Sequence, residues 1–130
     1  MTTELTILAL AGLLQAVQFS LYSVTAQMQV GSKAAMSPRD RKIELTGTAG
    51  RLQRALNNHF EGLILFTLAV VVVTLGNQSS TTTQTCAVIY LIARVLYIPC
   101  YAFGLTPWRS VVWAVGFLAT VTMLLSALIP

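Results

Sequence analysis

The stretch that decides the fold is RLQRALNNHFE at residues 51–61, which runs without a break into GLILFTLAVVVVTL at 62–75. The second part reads as a membrane helix. The first part puts polar residues where that helix should still be apolar. At 100° per residue, Arg51, Arg54, Asn58 and Glu61 fall within roughly an 80° arc of one helix face. Charges near hydrocarbon depth are costly, so they face a partner, a cavity or a ligand. That face is the first place to look for function.

Composition sets the surroundings. The chain has 130 residues, 55% hydrophobic and 9% charged, with a mean hydropathy of +0.73. A soluble domain carries about 25% charged residues. A span needs about 20 apolar residues, and four of them nearly use up the chain. The expected fold is therefore an all-α, four-helix transmembrane bundle forming one domain over 1–130, with spans at about 5–27, 51–75, 86–103 and 107–129. No heptad, GxxxG or tandem repeat stands out. Glu4 and the lack of Lys or Arg before the first apolar run argue for a retained span rather than a cleaved signal peptide.

Net charge is +4, and most basic residues lie in or beside 33–54. Lys33, Arg39, Arg41 and Lys42 sit in the first loop, and Arg109 lies by the third. The positive-inside rule then puts loops 28–50 and 103–108 in the cytoplasm and both termini outside. Aromatic and basic residues do not interleave as they do in proteins that grip nucleic acid, so none is expected as a partner. Cys86 and Cys100 fit no metal spacing and read as two small buried thiols.

The third span repeats the pattern of the second. Tyr90, Arg94, Tyr97 and Tyr101, spaced 4, 3 and 4 apart, share one face. The two polar faces are expected to meet. Glu61 reads as the one acid deep in a span, with Arg54 or Arg94 as its counter-charge. An ion pair there would only hold helices together. Yet Arg51, Arg54, Arg94 and Arg109 converge on one half of the bundle, and Glu61 neutralises only one of them. The surplus suits a small anion with several carboxylates, which arginine recognises with a planar fork. In the first span, Gln15, Gln18, Tyr22 and Thr25 form a polar stripe, read either as interhelical hydrogen bonding or as cavity lining. His59 lies off the charged arc. It reads as a headgroup-level or interhelical hydrogen bond, with a haem ligand as the alternative; no metal set surrounds it.

These residues resemble a family. RLQRALNNHFE, read as R-x-x-R-A-x-x-N-x-x-E, is similar to the second-helix signature of the membrane-associated proteins in eicosanoid and glutathione metabolism (MAPEG), and the chain is closest in length to its bacterial-type members. RVLYIPCY at 94–101 and PWRS at 107–110 resemble the third helix and the start of the fourth. The resemblance implies a homotrimer in a membrane, here a bacterial inner membrane, with glutathione as co-substrate bound between subunits near the cytoplasmic side. It implies that Arg51, Arg54, Asn58, Glu61, Arg94, Tyr97 and Tyr101 hold glutathione and that Arg109 is catalytic, activating the thiol. The implied activity is transfer to, or peroxide reduction of, hydrophobic electrophiles. Other members bind lipid or pack against partner proteins without catalysis, so the non-catalytic reading stands beside it. Gly62 replaces a tyrosine of the leukotriene-forming members. Gly50 replaces the acidic residue often found before the motif. The turn before Arg109 is one residue shorter than in the prostaglandin-forming member.

Overall fold

A computed structural model describes residues 1–31 and 45–129. The basic cluster of the first loop, Lys33 to Lys42, lies outside the described residues. Among the described residues four helices follow in order: α1 (Thr3–Val30), α2 (Gly47–Leu75), α3 (Thr81–Ala102) and α4 (Trp108–Leu128). All four are long and apolar enough to cross a membrane, and the protein is an integral membrane protein. Both α2 and α3 touch each other and both outer helices, whereas α1 and α4 do not meet. The bundle is thus a rhombus with α2 and α3 on the short diagonal. Even span number puts both termini at one end and the α1–α2 and α3–α4 connections at the other.

Local chemistry sets the helix ends. Thr2 Oγ1 accepts from the Leu5 amide at 3.3 Å and opens α1. Gly31, at φ 87°, closes it in a conformation that favours glycine. Gln29 then clips α1 to the start of α2. Its amide donates to Thr46 O at 2.9 Å and its Oε1 accepts from Thr46 N at 2.9 Å. The Thr25 hydroxyl of the polar stripe turns back to Leu21 O at 2.8 Å, while Gln18 is buried.

The start of α3 differs most from the sequence expectation. The polar run before Cys86 is not all loop, since α3 begins at Thr81. Ser80 and Thr83 form a reciprocal capping box, with Ser80 Oγ accepting from Thr83 N at 3.2 Å and Thr83 Oγ1 accepting from Ser80 N at 2.8 Å. No side chain caps the start of α4. Pro107 precedes the helix, and the Arg109 amide is taken up by Leu105 O at 3.0 Å.

The apolar core lies in the half of the bundle nearest the termini. One cluster holds Ile7 and Ala11 of α1, Phe66, Ala69 and Val70 of α2, Cys86, Ala87 and Tyr90 of α3, and Ala119 and Met123 of α4. Phe66 and Tyr90 stack with centroids 4.0 Å apart and planes 6° from parallel. Small residues let the backbones close in. A Cβ on Gly116 would already sit 3.4 Å from Ala93 Cβ.

One acid is placed differently from expectation. Among the described residues Glu4, not Glu61, is the fully buried carboxylate. Its Oε2 accepts from Ser79 Oγ at 2.6 Å and Thr83 Oγ1 at 3.0 Å. It faces the N-terminal end of α3, where negative charge is favourable, and so fastens the start of α1 to the α2–α3 turn.

Candidate functional site

The opposite half carries the polar cluster. A 29-residue α2 is longer than the membrane requires. Counting about 20 residues back from Leu75 reaches Leu56. Asn58 and Glu61 therefore sit at the edge of the hydrocarbon, and Arg51 and Arg54 at headgroup depth. There the charges cost less and meet the ends of α3 and α4.

Arg94 is the centre. It is 4% exposed, on a helix face one turn from Tyr90 and Tyr97. Its Nη1 donates to Asn58 Oδ1 at 2.9 Å, its Nε donates to His59 Nδ1 at 3.3 Å, and its guanidinium lies 4.5 Å from the Tyr97 ring centroid. Its Nη2 is buried and has no partner among the described residues, and neither does the Tyr90 hydroxyl. Both residues line a cavity of about 210 Å³ between α2, α3 and α4, with Asn58, Glu61 and Gly62 on one wall and Trp113 and Phe117 on another.

Arg54 and Arg109 join through one ring. Arg54 Nε donates to Tyr101 Oη at 3.1 Å. The Arg54 and Arg109 guanidiniums lie 5.8 Å and 4.9 Å from the Tyr101 ring centroid. A smaller hollow beside Arg109 is lined by Asn58, Tyr97, Ser110 and Trp113. Three guanidiniums are thus gathered on two neighbouring tyrosines, Tyr97 and Tyr101, whose rings are 5.5 Å apart and tilted by 53°. Cation–π contact holds such groups without cancelling their charge.

Two expected roles change. Glu61 is exposed at the lip of the cavity, and the ion pair expected with Arg54 or Arg94 is not formed. Arg94 uses Asn58 and His59 instead, and Arg54 uses Tyr101. The reason is register: Asn58, one turn before Glu61, is the residue turned towards α3. Arg51 stands apart from the other arginines. Its Nη1 reaches Ala102 O at 3.5 Å, so it sits on the C-terminal carbonyls of α3, where a cation is favourable.

Both glycines that break the signature have a physical account. A Cβ on Gly50 would lie 2.6 Å from Leu45 O, too close for any side chain. At Gly62 a Cβ would meet Tyr90 Oη at 3.7 Å and Arg94 Nη1 at 3.9 Å. The second glycine therefore leaves the cavity wall open rather than relieving a clash. Sequence reasoning gave His59 no place in the site. It is fully buried, with Nε2 3.1 Å from Ala11 O. Both ring nitrogens are occupied by interhelical hydrogen bonds, as one of the sequence readings expected, which leaves no lone pair for a haem iron.

The model of the MAPEG family matches residues 7–129. No curated protein and no solved structure matches the chain.

Proposed function

The chain belongs to the MAPEG family, and from that premise we propose that it binds glutathione and uses it as a transferase or peroxidase on hydrophobic electrophiles. The observation that carries this reading is the uncancelled charge. Arg54, Arg94 and Arg109 are drawn together on Tyr97 and Tyr101, and among the described residues none is in an ion pair. Glutathione brings two carboxylates and an amine to such a cluster, and Glu61 at the lip is free to take the amine. Arg109, beside the smaller hollow, would stabilise the thiolate, which is the nucleophile in conjugation.

The homotrimer belongs to the same proposal. Ligand pockets run from about 300 to 1,000 Å³, and the cavity in one chain, about 210 Å³, is smaller. Its lip is open at Glu61. A neighbouring subunit that closes this side would complete the pocket and shield the polar face from lipid. In the same reading this end faces the cytoplasm of a bacterial inner membrane, as the positive-inside rule would have it for the basic first loop.

The apolar wall of Leu65, Trp113 and Phe117 favours a second reading, in which the cleft holds lipid and catalyses nothing. Calorimetry with glutathione on detergent-purified protein, followed by a chromogenic conjugation assay, separates the two. The enzyme binds and turns over. In it, Arg109→Ala lowers turnover at saturating glutathione more than it weakens binding, because the contact is strongest with the developing thiolate. Binding without turnover supports the second reading, and no binding removes the first.

A further inference from the structure

His59 and Arg94 face each other behind the cavity. The Ala11 carbonyl can only accept, so His59 Nε2, 3.1 Å away, carries the ring proton. His59 Nδ1 then presents its lone pair to Arg94 Nε, 3.3 Å away, a group that can only donate. The ring is therefore the neutral Nε2–H tautomer with both nitrogens used. It is fully buried and does not line the cavity.

The guanidinium is held from three directions. Nε is on His59, Nη1 on Asn58 and one face on the Tyr97 ring. These contacts fix its plane and leave one nitrogen, Nη2, buried and, among the described residues, without a partner. Every one of the three holding groups is neutral. A carboxylate in the place of His59 would orient Arg94 equally well but would cancel its charge.

We infer that His59 is a positioning residue: it fixes Arg94 through a neutral acceptor, so that the guanidinium reaches the cavity oriented and still fully cationic. This rests on the reading of the cavity as an anion site, and it adds a residue that does not touch the ligand. Two substitutions split its bonds. In His59→Asn the Oδ1 stands where Nδ1 stood, so the acceptor for Arg94 is kept and the bond to Ala11 is lost. In His59→Gln the side-chain amide reaches Ala11 O, and the acceptor for Arg94 is lost.

The test uses the full chain in detergent with three readouts: calorimetry with glutathione, the melting temperature, and the ¹⁵N signal of the Arg94 Nε–H. In wild type and His59→Asn that signal should be slow to exchange, and in His59→Gln it should be lost. Glutathione affinity should stay within about threefold in His59→Asn and fall about tenfold or more in His59→Gln. The melting temperature should move the other way, because only His59→Gln keeps the tie from α2 to α1. A purely structural role would make affinity follow the melting temperature, and that pattern overturns the inference. If wild type binds no glutathione, the proposed function fails. The Arg94 signal then decides on its own, and its survival in His59→Gln sinks the positioning role.

Discussion

Replacing Arg94 by methionine should leave the bundle about as stable as before while weakening its ligand. The unbranched thioether fills much of the space of the arginine stem. On the losing side, His59 Nδ1 and Asn58 Oδ1 give up their donor. A buried group left unsatisfied costs about 1–3 kcal/mol. His59 bears that in full, whereas Asn58 is half-buried on the cavity wall and can turn to water. The contact with Tyr97 adds about 2 kcal/mol when desolvated. On the gaining side, a buried cation with an unpartnered Nη2 disappears, and the desolvation it relieves is several kcal/mol. The two sides cancel to within about 2 kcal/mol. At about 4 °C per kcal/mol for a chain of this size, the melting temperature should move by less than ~8 °C. The ligand loses a charge-assisted hydrogen bond of about 1.5–3 kcal/mol, or 10- to 150-fold in affinity. Thermal melts and glutathione calorimetry in one detergent measure both. A variant that does not fold, or that melts more than ~15 °C lower, would make Arg94 a structural strut and refute the reasoning.

Two further outcomes follow from the fold. Glu4→Gln keeps the shape of the side chain but removes the charge from the bonds to Ser79 and Thr83 and puts a buried amide where Oε1 has no partner; stability should drop by about 2–4 kcal/mol in thermal melts, with glutathione binding at the other end unchanged. Gly50→Ala would gain up to about 1 kcal/mol of helix propensity, but its Cβ meets Leu45 O at 2.6 Å, so the variant should melt below wild type, and an increase would show that the entry to α2 is not held where it is described.

The bundle was legible from hydropathy, and the site from period. Four long apolar runs leave little choice of architecture. A recurrence of 3 and 4 residues among arginines and tyrosines names the faces of α2 and α3 that meet. What period cannot give is which member of a face turns inwards. Asn58 and Glu61 lie on the same arc, and only the packing of α3 against α2 gives Arg94 to Asn58 and leaves Glu61 at the lip. Glu4 was missed because its partners, Ser79 and Thr83, are at least 75 residues away in the chain, and a residue so close to the start belongs to no periodic pattern. The early start of α3 was hidden for the same reason. TTTQT reads as a polar linker until Ser80 and Thr83 are seen capping the helix. His59 falls off the charged arc, so the wheel that identified the site pointed away from its support.

Each end of the bundle handles its buried polar groups differently, and the difference argues for function. At the terminal end Glu4 meets two hydroxyl donors and the start of a helix, so a negative charge is placed where the backbone already favours it. That arrangement joins helices and asks for nothing more. At the other end an acid is available, for Glu61 lies one turn beyond Asn58. A bundle selected only for packing would set that carboxylate against Arg94 and close the account of charge. Instead Arg94 takes neutral partners, Arg54 and Arg109 share one tyrosine ring, and Glu61 stays exposed. Among the described residues the cations are oriented and left uncancelled. Such an arrangement costs stability in the isolated chain, and a bound anion is what would offset that cost.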